Sequence, residues 1–274
     1  MLNALSSAVS GLDSFQQDMD VIGNNIANIN TDGFKAGMVN FADTFSDTLV
    51  AGTGTVQIGT GVYDQAITNN WSQGAVNATG VNTDLAISGN GFFVVQDPTS
   101  NTQYVTQNGS FQINASGYLV TAGGQQVLGT NGASTTLSPI QINAVGAPST
   151  AAPGATVSSF SINPQGQINV TLSDGTTFTR AQVLLQDFQD PQALTNQGGN
   201  LYSNQANAGP IQSAPAAPGT SDLGQIQSGY VEISNVDLST EMANLITAQR
   251  GFEANSKIVT TSDDVLQTLV NMKR

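Results

Sequence analysis

Two pairs of carboxylates are placed for acid–base work: Asp187 with Asp190, and Asp263 with Asp264. A glycosidase needs two such groups flanking one scissile bond. The plainer reading of both is stronger. Asp190-Pro191 is turn chemistry, and Asp263-Asp264 read as solvated residues of a helix. Histidine and cysteine are absent, which removes most nucleophilic triads and zinc sites. The glycines of "GTGTVQIGTG" have the wrong spacing for a dinucleotide or phosphate loop, and no lysine follows. Asn28, Asn30, Asp32 and Gly33 imitate the start of a calcium loop, but its twelfth position is Val39, where a bidentate glutamate is required. The residues therefore imply no catalytic, cofactor-binding or metal-binding site, and a protein that is not an enzyme.

What stands out instead is a run of amides, "NNIANINTDGFK" at positions 24–35, with Asn24, Asn25, Asn28 and Asn30. Asparagine is a mediocre helix former because its amide competes for backbone hydrogen bonds. Yet the run continues a helical stripe. Leu2, Leu5, Val9, Leu12, Phe15, Met19, Ile22, Ile26 and Ile29 follow at steps of three or four, predicting a helix roughly 40 Å long. "TDGF" then stops it.

The other end mirrors this. Asp237 is placed to cap a second helix, with Glu241 in its first turn. Met242, Leu245, Phe252, Val259, Leu266 and Val270 fall near heptad spacing, interrupted by Gln249, Ser256 and Asp263. Either the two helices cap one globular domain, or they pair with each other and with other copies. An antiparallel pairing with Ile29 level with Glu241 puts Asp20 opposite Arg250 and Asp13 opposite Lys257, edge charges that would fix a register.

The middle is β. Short strands alternate with Asn-Gly, Ser-Gly and Asp-Gly turns. Ser110-Phe111-Gln112-Ile113-Asn114 followed by Gly117 matches Ser159-Phe160-Ser161-Ile162-Asn163 followed by Gly166, a weak repeat that predicts a duplicated hairpin. Residues 131–159 and 203–222 read as loops rich in small and turn-forming residues. The expected fold is α+β and mainly β. A terminal helical assembly domain comprises 1–35 and 236–274, extended links comprise 36–75 and 203–235, and a central antiparallel β domain comprises 76–202.

Only 9% of the 274 residues are charged, against about 25% in ordinary soluble proteins. Hydrogen-bonding side chains fill the gap, giving a surface with few charges to hold copies apart, although a net charge of −13 opposes association at long range. No Lys or Arg stands between Ala36 and Thr179, so no basic patch exists to meet nucleic acid. The N-terminus has no basic region followed by a continuous apolar stretch, unlike a cleavable signal peptide. No apolar run approaches a membrane span.

Three blocks, in order, carry a resemblance. "SAVSGLDSFQQDMDVIGNNIANINTDGFKA" is similar to the N-terminal motif of the bacterial flagellar rod and hook proteins, and "SGYVEISNVDLSTEMANLITAQRGFEANSKIVTTSDDVLQTLVNMKR" to their C-terminal motif. "NTDLAISGNGFFVV", followed by "GSFQINASGYLV", resembles a block between them. The resemblance implies a structural protein, exported unfolded through the flagellar type III apparatus without signal cleavage. It implies helical assembly of many copies into a hollow tube, with the terminal helices innermost and the β domain outside. Its partners would be adjacent axial proteins of the rod and of the hook–filament junction, with no membrane insertion. The implied interface comprises the stripe from Leu5 to Ile29, with Asn25 and Asn28, and Met242, Leu245, Arg250, Phe252, Val259, Leu266 and Val270. Asn24, Asn25 and Asn28 would bond across subunit boundaries or to channel water. Within the family, "GFKAGMVNFADTF" and the C-terminal block are nearest the hook protein, with a distal rod protein as the alternative. Outside it, a secreted adhesin or binding module is the alternative. Hook proteins usually carry a further outer β domain, and only residues 127–182 could host one here.

Overall fold

The structure is a computed structural model that describes residues 2–51, 54–132, 136–149, 151–212, 214–220 and 222–272. Helix α1 (Leu2–Ala27) leads into β1 (Gly37–Asp43), β2 (Ser46–Ala51), β3 (Gly54–Gly59) and β4 (Val62–Asn69). There follow β5 (Val76–Ala78), β6 (Leu85–Ser88), β7 (Phe92–Gln96), β8 (Gln103–Thr106), β9 (Phe111–Ile113), β10 (Leu119–Thr121), β11 (Gln126–Asn131) and β12 (Ser138–Pro139). Then come β13 (Val157–Ile162), β14 (Gln167–Leu172), β15 (Thr177–Val183), β16 (Leu185–Gln186), β17 (Thr195–Gly198), β18 (Leu201–Ser203), the short α2 (Gln205–Ala208), β19 (Gln225–Ser228), β20 (Tyr230–Glu232) and the long α3 (Leu238–Met272). The fold is α+β and mainly β, with helices at both ends. Among the described residues no helix is long and apolar enough to cross a membrane.

The chain divides into two compact units. One contains Met1–Ile29, Lys35–Trp71 and Val236–Arg274, and the other Asn30–Phe34 and Ser72–Asn235. This division differs from the expected domains. Residues 37–69, read as an extended link, form two antiparallel ribbons, β1 with β4 and β2 with β3, in the helical unit. A bulge between Asn40 and Phe41 breaks the period-two pattern that would reveal β1. Residues 203–235, read as the second link, belong to the β unit. There β19 pairs with β6 and β20 with β5, and Leu223, Ile226 and Val231 are buried. These strands are only three or four residues long, too short to carry a period.

In the β unit one sheet runs β13-β14-β15-β11-β7-β8-β18-β17. Its core gathers Leu85, Phe93, Phe111, Leu119, Val127, Ile140, Ile168, Val170, Val183 and Ile226. Phe93 and Phe111 meet edge to face with centroids 5.1 Å apart, the arrangement that ring quadrupoles favour. β14 alternates buried Ile168, Val170 and Leu172 with half-buried polar residues, whereas Phe92 to Val95 of β7 are buried on both faces.

The repeated pentapeptides form equivalent hairpins. Asn114 and Asn163 each accept from a glycine three residues on, Gly117 and Gly166. Both glycines take positive φ, 82° and 76°, where a side chain would be strained. β9-β10-β11 and β13-β14-β15 are thus two meanders, joined through their third strands, β11 and β15. The one basic residue of this unit, Arg180 on β15, is 9% exposed and donates from Nε to Asn143 Oδ1 at 2.8 Å. Burial lowers its pKa.

Candidate assembly surface

The helical unit begins with two helices whose sequences nearly suffice to place them. α1 keeps its stripe for seven turns, and Asp237 caps α3. Its carboxylate accepts from Thr240 N at 2.9 Å, and that bond holds the Asp237 pKa below the ordinary value. The helices pack antiparallel. A Cβ on Gly11 would lie 2.6 Å from Asn255 Nδ2, and one on Gly251 would lie 2.5 Å from the Phe15 ring. Glycine at both places lets the helix backbones approach.

On α3 the inward residues alternate at steps of four and three. Leu245, Phe252, Val259 and Leu266 are half-buried, and between them lie buried Ala248 and half-buried Asn255 and Ser262. On α1, Ala8, Ser14, Ile22 and Asn25 are buried, while Leu5, Leu12, Phe15, Met19, Ile26, Asn28 and Ile29 are half-buried. Val9 is exposed. The expected heptad positions are thus inward at Leu245, Phe252, Val259 and Leu266. Met242 and Val270 point outward instead, with Val270 67% exposed. A heptad seam drifts off the straight-helix stripe, and these two residues mark its edge.

Three of the polar residues make bonds within the chain. Asn25 is 1% exposed and its amide is used inside the chain. It donates to Gly37 O at 2.8 Å and accepts from Gly37 N at 2.9 Å, clasping β1 to α1. Asn28 donates back to Asn24 O at 2.9 Å along its own helix. Arg250 pairs with Glu253 at 2.9 Å along α3, not with Asp20. The register explains this last difference. In the expected alignment Gly11 would face Val259, and it faces Asn255, one turn away. Lys273 and Arg274, also expected on this helix, lie outside the described residues.

Sequence reasoning missed the small residues of the seam, Ala8, Gly11, Ala248 and Gly251, because they leave no hydrophobic signal. Their three-residue spacing, Ala8 to Gly11 and Ala248 to Gly251, was the available clue. It also missed the ribbon. Ser10 Oγ accepts from Val62 N at 3.2 Å, and Phe15 lies 6.2 Å from Phe41, so α1 is held by β1 and β4 as well as by α3. Large apolar side chains also remain exposed within the unit: Met242, Ile246, Ile258, Val265, Leu269 and Met272 on α3, Met38 and Tyr63 on the β1–β4 ribbon, and Phe45 just after β1. Ile258, Val265 and Met272 recur every seven residues beside the inner seam, the pattern of a second helix-packing edge.

Of the two carboxylate pairs, Asp187 and Asp190 are turn residues. Asp187 Oδ1 accepts from Phe188 N, and Asp190 Oδ1 from Gln192 N at the start of a single 3-10 turn. Asp263 and Asp264 lie exposed on α3. Gly33 serves a close backbone approach, since a Cβ there would sit 2.7 Å from Asn108 N. Among the described residues no group of three potential ligands could hold a metal.

Comparison with known sequences agrees with this architecture. A profile described as flagellar basal body rod protein matches residues 5–35. One described as the flagellar hook protein FlgE/F/G D1 domain matches 86–171. One described as the flagellar basal body rod FlgEFG protein C-terminal region matches 227–272. The flagellar basal-body rod protein FlgG of Bacillus subtilis (strain 168) is 41% identical over 283 aligned residues, which cover 100% of both chains. FlgG of Buchnera aphidicola subsp. Baizongia pistaciae (strain Bp) is 37% identical, covering 98% of this chain and 99% of its own. The flagellar hook protein FlgE of Treponema pallidum (strain Nichols) is 42% identical over 139 residues, 47% of this chain and 30% of that protein.

Proposed function

The chain belongs to the flagellar rod and hook protein family, and from that premise we propose that it is a distal-rod subunit of the basal body. Coverage carries this reading. The rod relatives align from end to end, whereas the hook relative shares under a third of its length. The hook reading rests on residues 33–45 and the C-terminal block, and the profile that matches 227–272 is described for FlgEFG proteins together. Among the described residues of 127–182, where an outer hook domain would be inserted, β11 to β15 all belong to the one sheet.

In this role the terminal-helix unit polymerises. α1 and α3 pair through their small-residue seam, and the outward α3 residues pack against further copies in a hollow helical tube. The β unit brings a finished core. The subunit passes unfolded through the flagellar export apparatus. A chain without cysteine forms no disulfide that would obstruct such passage. Its neighbours are the adjoining axial proteins. It performs no catalysis and takes no cofactor.

The test is imaging of the native assembly in a strain carrying a tagged chain. A straight rod segment within the envelope is the expected location. Label on a curved extracellular joint would return the protein to the hook.

A further inference from the structure

A cavity of about 250 Å³ opens in the helical unit among α1, β1 and α3. Phe15, Val21 and Ile22 of α1 and Met38 and Val39 of β1 give it apolar walls. Asp18 from α1 and Glu241 from α3 bring two carboxylates to it. A third carboxylate stands close by. Phe15 contacts Phe41, whose register partner across the ribbon is Asp64 on β4. Asp18 lies three residues after Phe15, on the same side of the helix. Asp64 Oδ1 is buried and has no hydrogen-bond partner among the described residues. The β1 residues lining the cavity are uncharged, and its walls include no basic side chain.

We propose that this arrangement is an acid-operated lock on the helical unit: Asp18, which lines the cavity with Glu241 and lies near Asp64, with no basic side chain on the cavity walls, loosens the packing of α1 while ionised and tightens it when protonated. The chemistry has two parts. An ionised Asp18 keeps a charge against apolar walls and against the negative charge of Asp64. A protonated Asp18 removes that repulsion and supplies an O–H donor, the group that Asp64 Oδ1 lacks. Burial first, and the charge of Asp64 second, raise the Asp18 carboxyl above its ordinary 3.8. A carboxyl with a higher pKa in the folded than in the unfolded chain binds protons preferentially when folded. Stability therefore rises as pH falls from above the folded value toward 3.8. The Asp237 cap works in the opposite direction, its contribution being complete above 3.8 and lost as pH falls through its lowered value. Between neutrality and the pKa of an ordinary carboxylate, Asp18 works in this sense in the helical unit, as Asp32, raised by burial and then by the charge of Asp84, does in the β unit.

The experiment is amide hydrogen exchange on the full chain, followed across the α1 segment from Phe15 to Ile22 and corrected for the intrinsic effect of pH on exchange. It is run at about pH 7 and about pH 5, above the isoelectric point near 4.1. Protection of this segment should increase at the lower pH. Asp18→Asn should show equal protection at both values, and Asp64→Asn should retain a smaller response than the parent chain. Should Asp18→Asn fail to fold, the reduced response of Asp64→Asn decides alone. Corrected protection in the parent chain that is flat or falling with acid overturns the lock. So does a full response in Asp18→Asn or an undiminished one in Asp64→Asn. An α1 segment unprotected at both pH values overturns it too, since the lock acts within one chain.

Discussion

Phe93 and Ile258 show how differently the two units use apolar residues. Phe93 is 0% exposed in the β unit, enclosed by side chains of its own chain. Ile258 is 44% exposed on α3, a full-sized aliphatic residue that its own chain leaves in water. Burying such a side chain is worth about 1.5–3 kcal/mol. The β unit has gained that free energy within one chain, whereas the helical unit still holds part of it in reserve. The difference separates the two units: one encloses its large apolar residues within its own chain, and the other leaves several of them exposed.

The largest effect that could break this contrast is in the β core. Phe93→Ala should destabilise the β unit by about 3–5 kcal/mol, read in a denaturant titration. The helical unit should lose nothing directly. A variant that assembled normally at full stability would show that the core is not where this unit's stability lies.

Next come the helix surfaces. Leu12→Asp and Ile26→Asp place a charge on half-buried seam positions and should abolish polymer formation while near-ultraviolet dichroism shows an intact β unit. Ile258→Asp sharpens the comparison further. Its outward position should leave the stability of the single chain within about 0.5 kcal/mol and still cut polymer yield. Wild-type polymer from Ile258→Asp would remove the outer edge of α3 from the interface.

Asn25→Ala should have an intermediate effect. It strips both of these hydrogen bonds from Gly37 and leaves part-buried backbone groups without them, at about 1–3 kcal/mol. Faster amide exchange at Gly37 is the specific readout. The smallest effect belongs to Arg250. Its pair with Glu253 is exposed on both sides, and such pairs contribute about 0–1 kcal/mol. Arg250→Asp combined with Asp20→Arg should assemble no better than the worse single variant. Recovery in the double variant would mean the helices pair in the other register.

The helices were legible in the sequence because their period is sustained over many turns. Within the β unit, the two matching pentapeptides with their glycines revealed the paired hairpins. The ribbon β1–β4 was not legible, since the bulge at Asn40 and Phe41 interrupts alternation and the glycines of 52–61 resemble a loop. The seam was half legible. Leu245 to Leu266 declared one heptad position, but Ala248 and Gly251 act by being small, and hydropathy does not record that. Asn25 was the hardest. A buried, fully bonded amide and a solvated one are the same letter, and only the chain's return at Gly37 distinguishes them.

The scarcity of charge has a practical consequence for anyone cutting this protein. Trypsin cleaves after lysine and arginine, and between Lys35 and Arg250 the sequence offers it Arg180 alone. That residue lies in β15 with its guanidinium held by Asn143. The folded β unit is therefore nearly a single uncut fragment to trypsin, whereas Lys257 stands open on α3. Even after unfolding, a tryptic digest yields two very long peptides from the middle of the chain, poor material for mass spectrometry. Cleavage beside the more numerous aspartates is the better way to map it.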